Sequence, residues 1–185
     1  MKPSLLSLLV TSAAALGGSL AYGHGLDANR VEVVLQGAVV EAVATPPVSF
    51  VRGADRDGDG LLSLAEVNAH RDAIRRELVA AMHLTDPEGR AGTLERADIS
   101  LPRSADGHPG GEFLRVTARW RFASAPAGLR VRFDFVREHP VTVYATHART
   151  LGDGRVALVG APELAVLPNA QASTTMLRGV SGGAR

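Results

Sequence analysis

Along residues 114–135 apolar and polar side chains alternate almost without a break. Leu114, Val116, Ala118, Trp120 and Phe122 stand between Arg115, Thr117, Arg119 and Arg121. Leu129, Val131, Phe133 and Phe135 stand in the same way between Arg130, Arg132 and Asp134. A period of two marks a strand with one buried face, and residues 124–128, with Pro126, read as a hairpin loop joining the two runs. Val141, Val143 and Ala145 predict a third strand, and residues 155–159 a fourth after the turn signal Asp153-Gly154. Nearer the start, residues 30–36 and 38–44 are β-branched runs around Gln36-Gly37, a further hairpin that Pro46-Pro47 ends.

One stretch changes period. Over residues 63–84, Leu64, Val67, Ile74, Leu78 and Met82 fall three, four or seven apart, while Arg71, Asp72, Arg75, Arg76 and Glu77 take the other face. This spacing predicts a long helix with a solvated charged surface, stopped by Asp86-Pro87. Residues 48–54, with Gly53 near their end, predict a much shorter helix ahead of it. Strands with one apolar face need a second layer, and the N-terminal hairpin and long helix are the covers at hand. The expectation is an α+β domain over residues 24–168, with an antiparallel β-sheet or small sandwich and the helical unit inserted. Residues 169–185, rich in Ala, Ser, Thr and Gly, read as a flexible tail.

Composition removes several classes of function. Lys2 is the only lysine of the 185 residues, and 19 arginines face 19 acidic side chains, so no electrostatic footprint for nucleic acid is left. No cysteine is present, which excludes a disulfide framework and a lipid-modified cysteine anchor. Residues 1–23 read as a signal peptide. Lys2 supplies the positive start, Leu5 to Leu20 an apolar run, and the small residues ending at Ala21 or at Gly23 a cleavage site. That run is broken by polar residues and falls short of the roughly 20 apolar residues a membrane helix needs. The mature chain is expected to be exported, periplasmic or secreted, without a transmembrane segment.

Between the two helical stretches, residues 55–66 read Asp-Arg-Asp-Gly-Asp-Gly-Leu-Leu-Ser-Leu-Ala-Glu. Asp55, Asp57 and Asp59 at loop positions 1, 3 and 5, Gly60 at 6 and Glu66 at 12 match the EF-hand calcium loop. Calcium takes 6–8 oxygens at about 2.3–2.6 Å, and a tightly wound loop supplies them from alternate residues. The resemblance implies a metal set of Asp55, Asp57, Asp59, the Leu61 carbonyl, Ser63 (often through water) and both oxygens of Glu66, with Ca2+ as the cofactor. It also implies that Leu62 at position 8 turns inward and makes a short β contact. Four carboxylates and Arg56 leave the loop near −3, and crowding without a cation is expected to raise some carboxylate pKa values and loosen the loop. Residues 87–98 are the candidate for a paired second loop. Its positions 1, 3 and 5 are Pro87, Gly89 and Ala91, none with a ligating side chain, so a plain turn is expected there.

The order of leader, hairpin, calcium loop, helix and β run over residues 23–167 also resembles the extracytoplasmic part of bacterial nickel-permease-like membrane proteins. That group is related to hydrogenase and urease accessory proteins, and the resemblance here is without their membrane helices. No two of the six histidines have the i, i+4 spacing of a helical zinc pair. His147 continues the apolar face of Val141 and reads as a half-buried, hydrogen-bonded residue. His24 would become the amino terminus after cleavage at Gly23, where amine and imidazole together chelate copper or nickel. No nucleophile elbow or phosphate-cradling loop appears, and Asp134 with Glu138 is a weak acid pair, so the chain does not read as an enzyme. Two readings stay open. One is a calcium-binding exported protein in which calcium acts structurally or as a conditional switch for a binding or adaptor module, with a protein partner at the cell envelope. The other is a periplasmic copper or nickel trafficking module using His24.

Overall fold

Gly37 sits at φ +57°, a conformation open to glycine at little cost, and there the chain folds back on itself. Strand β1 (Arg30–Gln36) pairs antiparallel with β2 (Val39–Ala44), Val33 opposite Ala42. A computed structural model describes residues 29–102, 111–136, 140–151 and 155–177. A short 3-10 helix (Val48–Ala54) and the helix α1 (Leu64–Ala80) follow the hairpin. Then come β3 (Met82–Thr85), β4 (Thr93–Ser100), β5 (Arg115–Arg121), β6 (Leu129–Phe133), β7 (Val141–Thr150), β8 (Val156–Leu167) and β9 (Thr174–Met176). They form two sheets, one of six strands in the order β4-β5-β2-β1-β7-β8 and one of three in the order β3-β6-β9.

The α+β expectation with one long helix is overturned. Strands hold 49% of the described residues and helices 18%, and α1 is 17 residues long, not the 22 of residues 63–84. The physical reason lies at Met82. It continues the helical spacing from Leu78, but Met82 and Leu84 are also the buried alternate residues of a strand. Pairing with β6, Met82 opposite Phe133 and Leu84 opposite Val131, takes them out of the helix. The six-stranded sheet is also mixed, not antiparallel, because β1 pairs parallel with β7, Val31 opposite Val143.

Three further expectations are corrected. The runs at residues 114–122 and 129–135 are strands, but not a hairpin. β5 lies between β4 and β2 in the larger sheet, and β6 lies between β3 and β9 in the smaller. The fourth strand reaches Leu167, well past residue 159. The stretch read as a flexible tail contributes β9, which pairs with β6 and buries Met176 and Leu177.

One contiguous core takes side chains from both sheets and both helices, including Val31, Val33, Val116, Trp120, Phe133, Val143, Ile74 and Leu78. Alternation in the strands marked these inward positions correctly, since Leu114, Val116, Ala118, Trp120 and Phe122 are all buried. Val67, Ile74 and Leu78 are the buried face of α1, whereas Leu64, placed on that face by spacing, is exposed at the first turn. No helix among the described residues is long and apolar enough to cross a membrane. Residues 1–23, read above as a signal peptide, lie outside the described residues.

Candidate metal site

The acidic loop is held between two anchors. On its entry side the 3-10 helix buries Val48, Val51 and Ala54, one residue in three, which is the period of that helix. The chain kinks at Val51 (φ −109°, ψ 42°), so the anticipated entering α-helix is a kinked 3-10 turn instead. On the exit side α1 begins with a reciprocal cap. The Ser63 hydroxyl accepts from the Glu66 N–H at 3.3 Å, and Glu66 Oε2 accepts from the Ser63 N–H at 2.9 Å. This is the Ser-x-x-Glu capping box, which satisfies donors that the first turn of a helix leaves unpaired.

Between the anchors, backbone N–H groups point the acidic side chains. Asp55 Oδ1 accepts from Gly58 at 2.8 Å and its Oδ2 from Gly60 at 3.1 Å. Asp57 Oδ1 accepts from Asp59 N–H at 3.2 Å, and Asp59 Oδ1 from Leu61 N–H at 2.8 Å. Gly60 at φ +81° makes the turn that lets a single carboxylate reach both amides. As a result Asp55, Asp57 and Asp59 bring carboxylate oxygens within 4.8 Å of one another, with Asp55 half-buried and the other two exposed. Asp57 Oδ2 and Asp59 Oδ2 enter no hydrogen bond among the described residues.

Glu66 stands outside this triplet. Its Oε1 accepts from the Arg56 N–H at 2.7 Å, while Oε2 takes the Ser63 N–H and, at 2.7 Å, the Ser63 hydroxyl. Those bonds favour the charged form, the Ser63 amide most and the Arg56 amide next, and lower its pKa from 4.5 to about 2. Glu66 is thus not one of the carboxylates raised by crowding, because its amide and hydroxyl donors outweigh the opposing effect of desolvation. Leu61 is exposed, and its N–H serves Asp59.

Leu62 turns inward, fully buried, and its N–H reaches the Gly111 carbonyl at 3.4 Å in a single antiparallel bridge. The short β contact expected at position 8 is thus made to the segment before β5 and not to a paired loop of the same kind. Residues 87–98 form no such loop. Gly89 (φ +84°) closes a turn in which Asp86 accepts the Gly89 N–H and donates to Arg90, and β4 follows. Gly111 carried no pattern that sequence reasoning could have used.

Several acidic residues outside the loop find a cationic partner. Glu95 binds Arg121 and Arg119, Glu41 binds Arg119, Asp86 binds Arg90, and Asp134 binds His83 and Arg132. Asp55, Asp57 and Asp59 enter no ion pair among the described residues. Even the adjacent Arg56 turns its guanidinium to His70, with Nε 3.3 Å from Nε2. Three like charges left together without a cation partner are what a divalent ion neutralises.

The remaining candidates carry less. His147 is half-buried as expected, but its Nε2 has no hydrogen-bond partner among the described residues. Asp134, weighed with Glu138 as an acid pair, instead meets His83 at 2.7 Å, and Glu138 and His24 lie outside the described residues. No protein-family model matches the chain and no curated protein matches it. Any kinship with the nickel-permease-like group therefore rests on the loop motif and the order of elements alone.

Proposed function

We propose that this chain is an exported calcium-binding protein whose loop at residues 55–66 takes one Ca2+ and serves a binding or adaptor module at the cell envelope. The observation that carries the reading is the convergence of Asp55, Asp57 and Asp59 within 4.8 Å with no cationic side chain among them. Support also comes from the twelve-residue spacing, which sets Glu66 and Ser63 at the start of α1 where the same pattern uses them as ligands. Export is inferred from the leader-like residues 1–23.

A lone, exposed loop belongs with extracellular modules that bind calcium at about 10⁻⁴–10⁻³ M, too weakly to sense submicromolar pulses. At ten times the dissociation constant, binding adds roughly 1.4 kcal/mol to stability. That is a sizeable share of the 5–15 kcal/mol by which domains are usually stable. A structural or conditional role fits these magnitudes. Calorimetric titration of leader-free protein with calcium and, separately, magnesium tests the proposal. It predicts one site per chain that prefers calcium and disappears in Glu66→Gln. Absence of binding heat together with an unchanged melting temperature would refute it.

A further inference from the structure

The two ends of the six-stranded sheet are finished differently. At one end β4 carries Glu95, Arg96 and Asp98 and shifts register between Leu94 and Arg96, devices that keep foreign strands from docking. At the other end β8 is twelve residues long and, among the described residues, pairs only with β7. Its one charged side chain is Glu163, whose Oε2 already accepts the Leu177 N–H at 2.7 Å. Leu164 and Val166 are 62% and 57% exposed, on the face they share with Tyr144 and Thr142 of β7.

We propose that this edge takes a second copy of the same chain, β8 pairing antiparallel with β8 about a two-fold axis at Ala165. Self-complementarity of the segment selects that occupant. Residues 162–168 read Pro-Glu-Leu-Ala-Val-Leu-Pro, with a proline three residues to either side of Ala165. In the register centred there, Leu164 faces Val166 of the second copy, Glu163 faces Leu167, and Pro162 faces Pro168. Neither proline has an N–H to offer, so the ladder ends where donors run out. Each negative charge meets an apolar side chain and not its own image. An axis at Glu163 would oppose the two carboxylates, and one at Leu164 would set Pro162 against Val166. A two-fold axis makes the patch complete itself, and the two six-stranded sheets become continuous.

The interface is small. Five paired residues per copy fall short of the ~800 Å² per partner of a standard interface, so the dimer is weak and reversible.

The chain has no cysteine, so Ala165→Cys places a single thiol on the axis. Directly opposed antiparallel residues have Cα atoms about 4.5–5.5 Å apart, within disulfide reach. Under mild oxidation the leader-free Ala165→Cys protein is expected to become a covalent dimer on a non-reducing gel. Leu158→Cys, exposed on the same strand beyond the irregularity at residues 160–162, is expected to stay monomeric. Sedimentation of the unmodified chain over about 5–500 μM should show reversible dimerisation, equal in calcium and in chelator, that Leu164→Arg weakens at least tenfold. Leu164 is mostly exposed, so its variant should keep the parent melting temperature. A monomer throughout that range, or equal cross-linking at both cysteine positions, overturns the proposal.

Discussion

Adjacent leucines at the end of the acidic loop should respond to truncation in opposite ways. Leu62 is 0% exposed, belongs to the shared core and bonds through its N–H to Gly111. Leu61, one residue earlier, is 39% exposed and its side chain is absent from that core. Cutting Leu62 to Ala removes three carbons, about 2.4 kcal/mol of transfer free energy at ~0.8 kcal/mol per carbon. The space left behind adds a cavity term, bringing the cost to roughly 3–5 kcal/mol. For a chain of this length that is a fall in melting temperature of about 6–20 °C. Leu61→Ala should stay within about 0.5 kcal/mol of the parent. Urea denaturation in chelator measures both, the midpoint shifting for Leu62→Ala at unchanged slope. Repeating it in calcium tests the coupling, because if Leu62 anchors an ion-binding loop, the ion stabilises Leu62→Ala less than the parent. A loss below about 1 kcal/mol for Leu62→Ala, or equal losses for both leucines, would show that the loop is not docked on the core as described.

Glycine, charge and pH give three more tests. Gly60 sits at φ +81° with nothing within 4 Å of where a Cβ would stand, so Gly60→Ala costs backbone strain alone. About 1–2 kcal/mol is expected, while Gly53→Ala, equally unobstructed and without positive φ, should be neutral or slightly stabilising by urea titration. Gln serves at the third helical position of a capping box as Glu does, so Glu66→Gln should keep α1 but lose its charge. In thermal melts at calcium ten times the dissociation constant, the parent should rise by about 3–6 °C and this variant by less than about 1 °C. Amide donors hold Glu66 at about 2, and Arg121 lowers the Glu95 carboxyl. Burial raises Asp86, but its bonds from Arg90 outweigh this and lower it as well. Groups with depressed pKa stabilise the fold above their ordinary values and lose that contribution as pH falls. Melting temperature should therefore hold from pH 7 to 5 and drop between about 4.5 and 2, whereas a flat profile to pH 2 would contradict it.

Local patterns were legible and distant pairings were not. The Asp55–Glu66 spacing announced its loop because the backbone amides that point its carboxylates lie within the same twelve residues. Alternation likewise marked the buried residues of β5, β6 and β7. It could not say which strands meet. The parallel pairing of Val31 with Val143 spans most of the chain, and the loop at residues 124–128 joins strands of different sheets. Met82 satisfied both the helical and the strand period, and its place was decided by Phe133 across the sheet. Val48, Val51 and Ala54 did carry a readable signal, since a spacing of three belongs to a 3-10 helix. Gly160 and Pro162 are residue types that weaken strands, yet β8 absorbs them in the irregularity opposite Ala145 and His147.

Crystals of the leader-free protein grown in millimolar calcium, with anomalous scattering collected at long wavelength, test the cation site most directly. The account predicts one peak between Asp55, Asp57 and Asp59, with their oxygens and those of Glu66 about 2.3–2.6 Å from it. Well-ordered carboxylates around a position holding only water at that calcium concentration would contradict it.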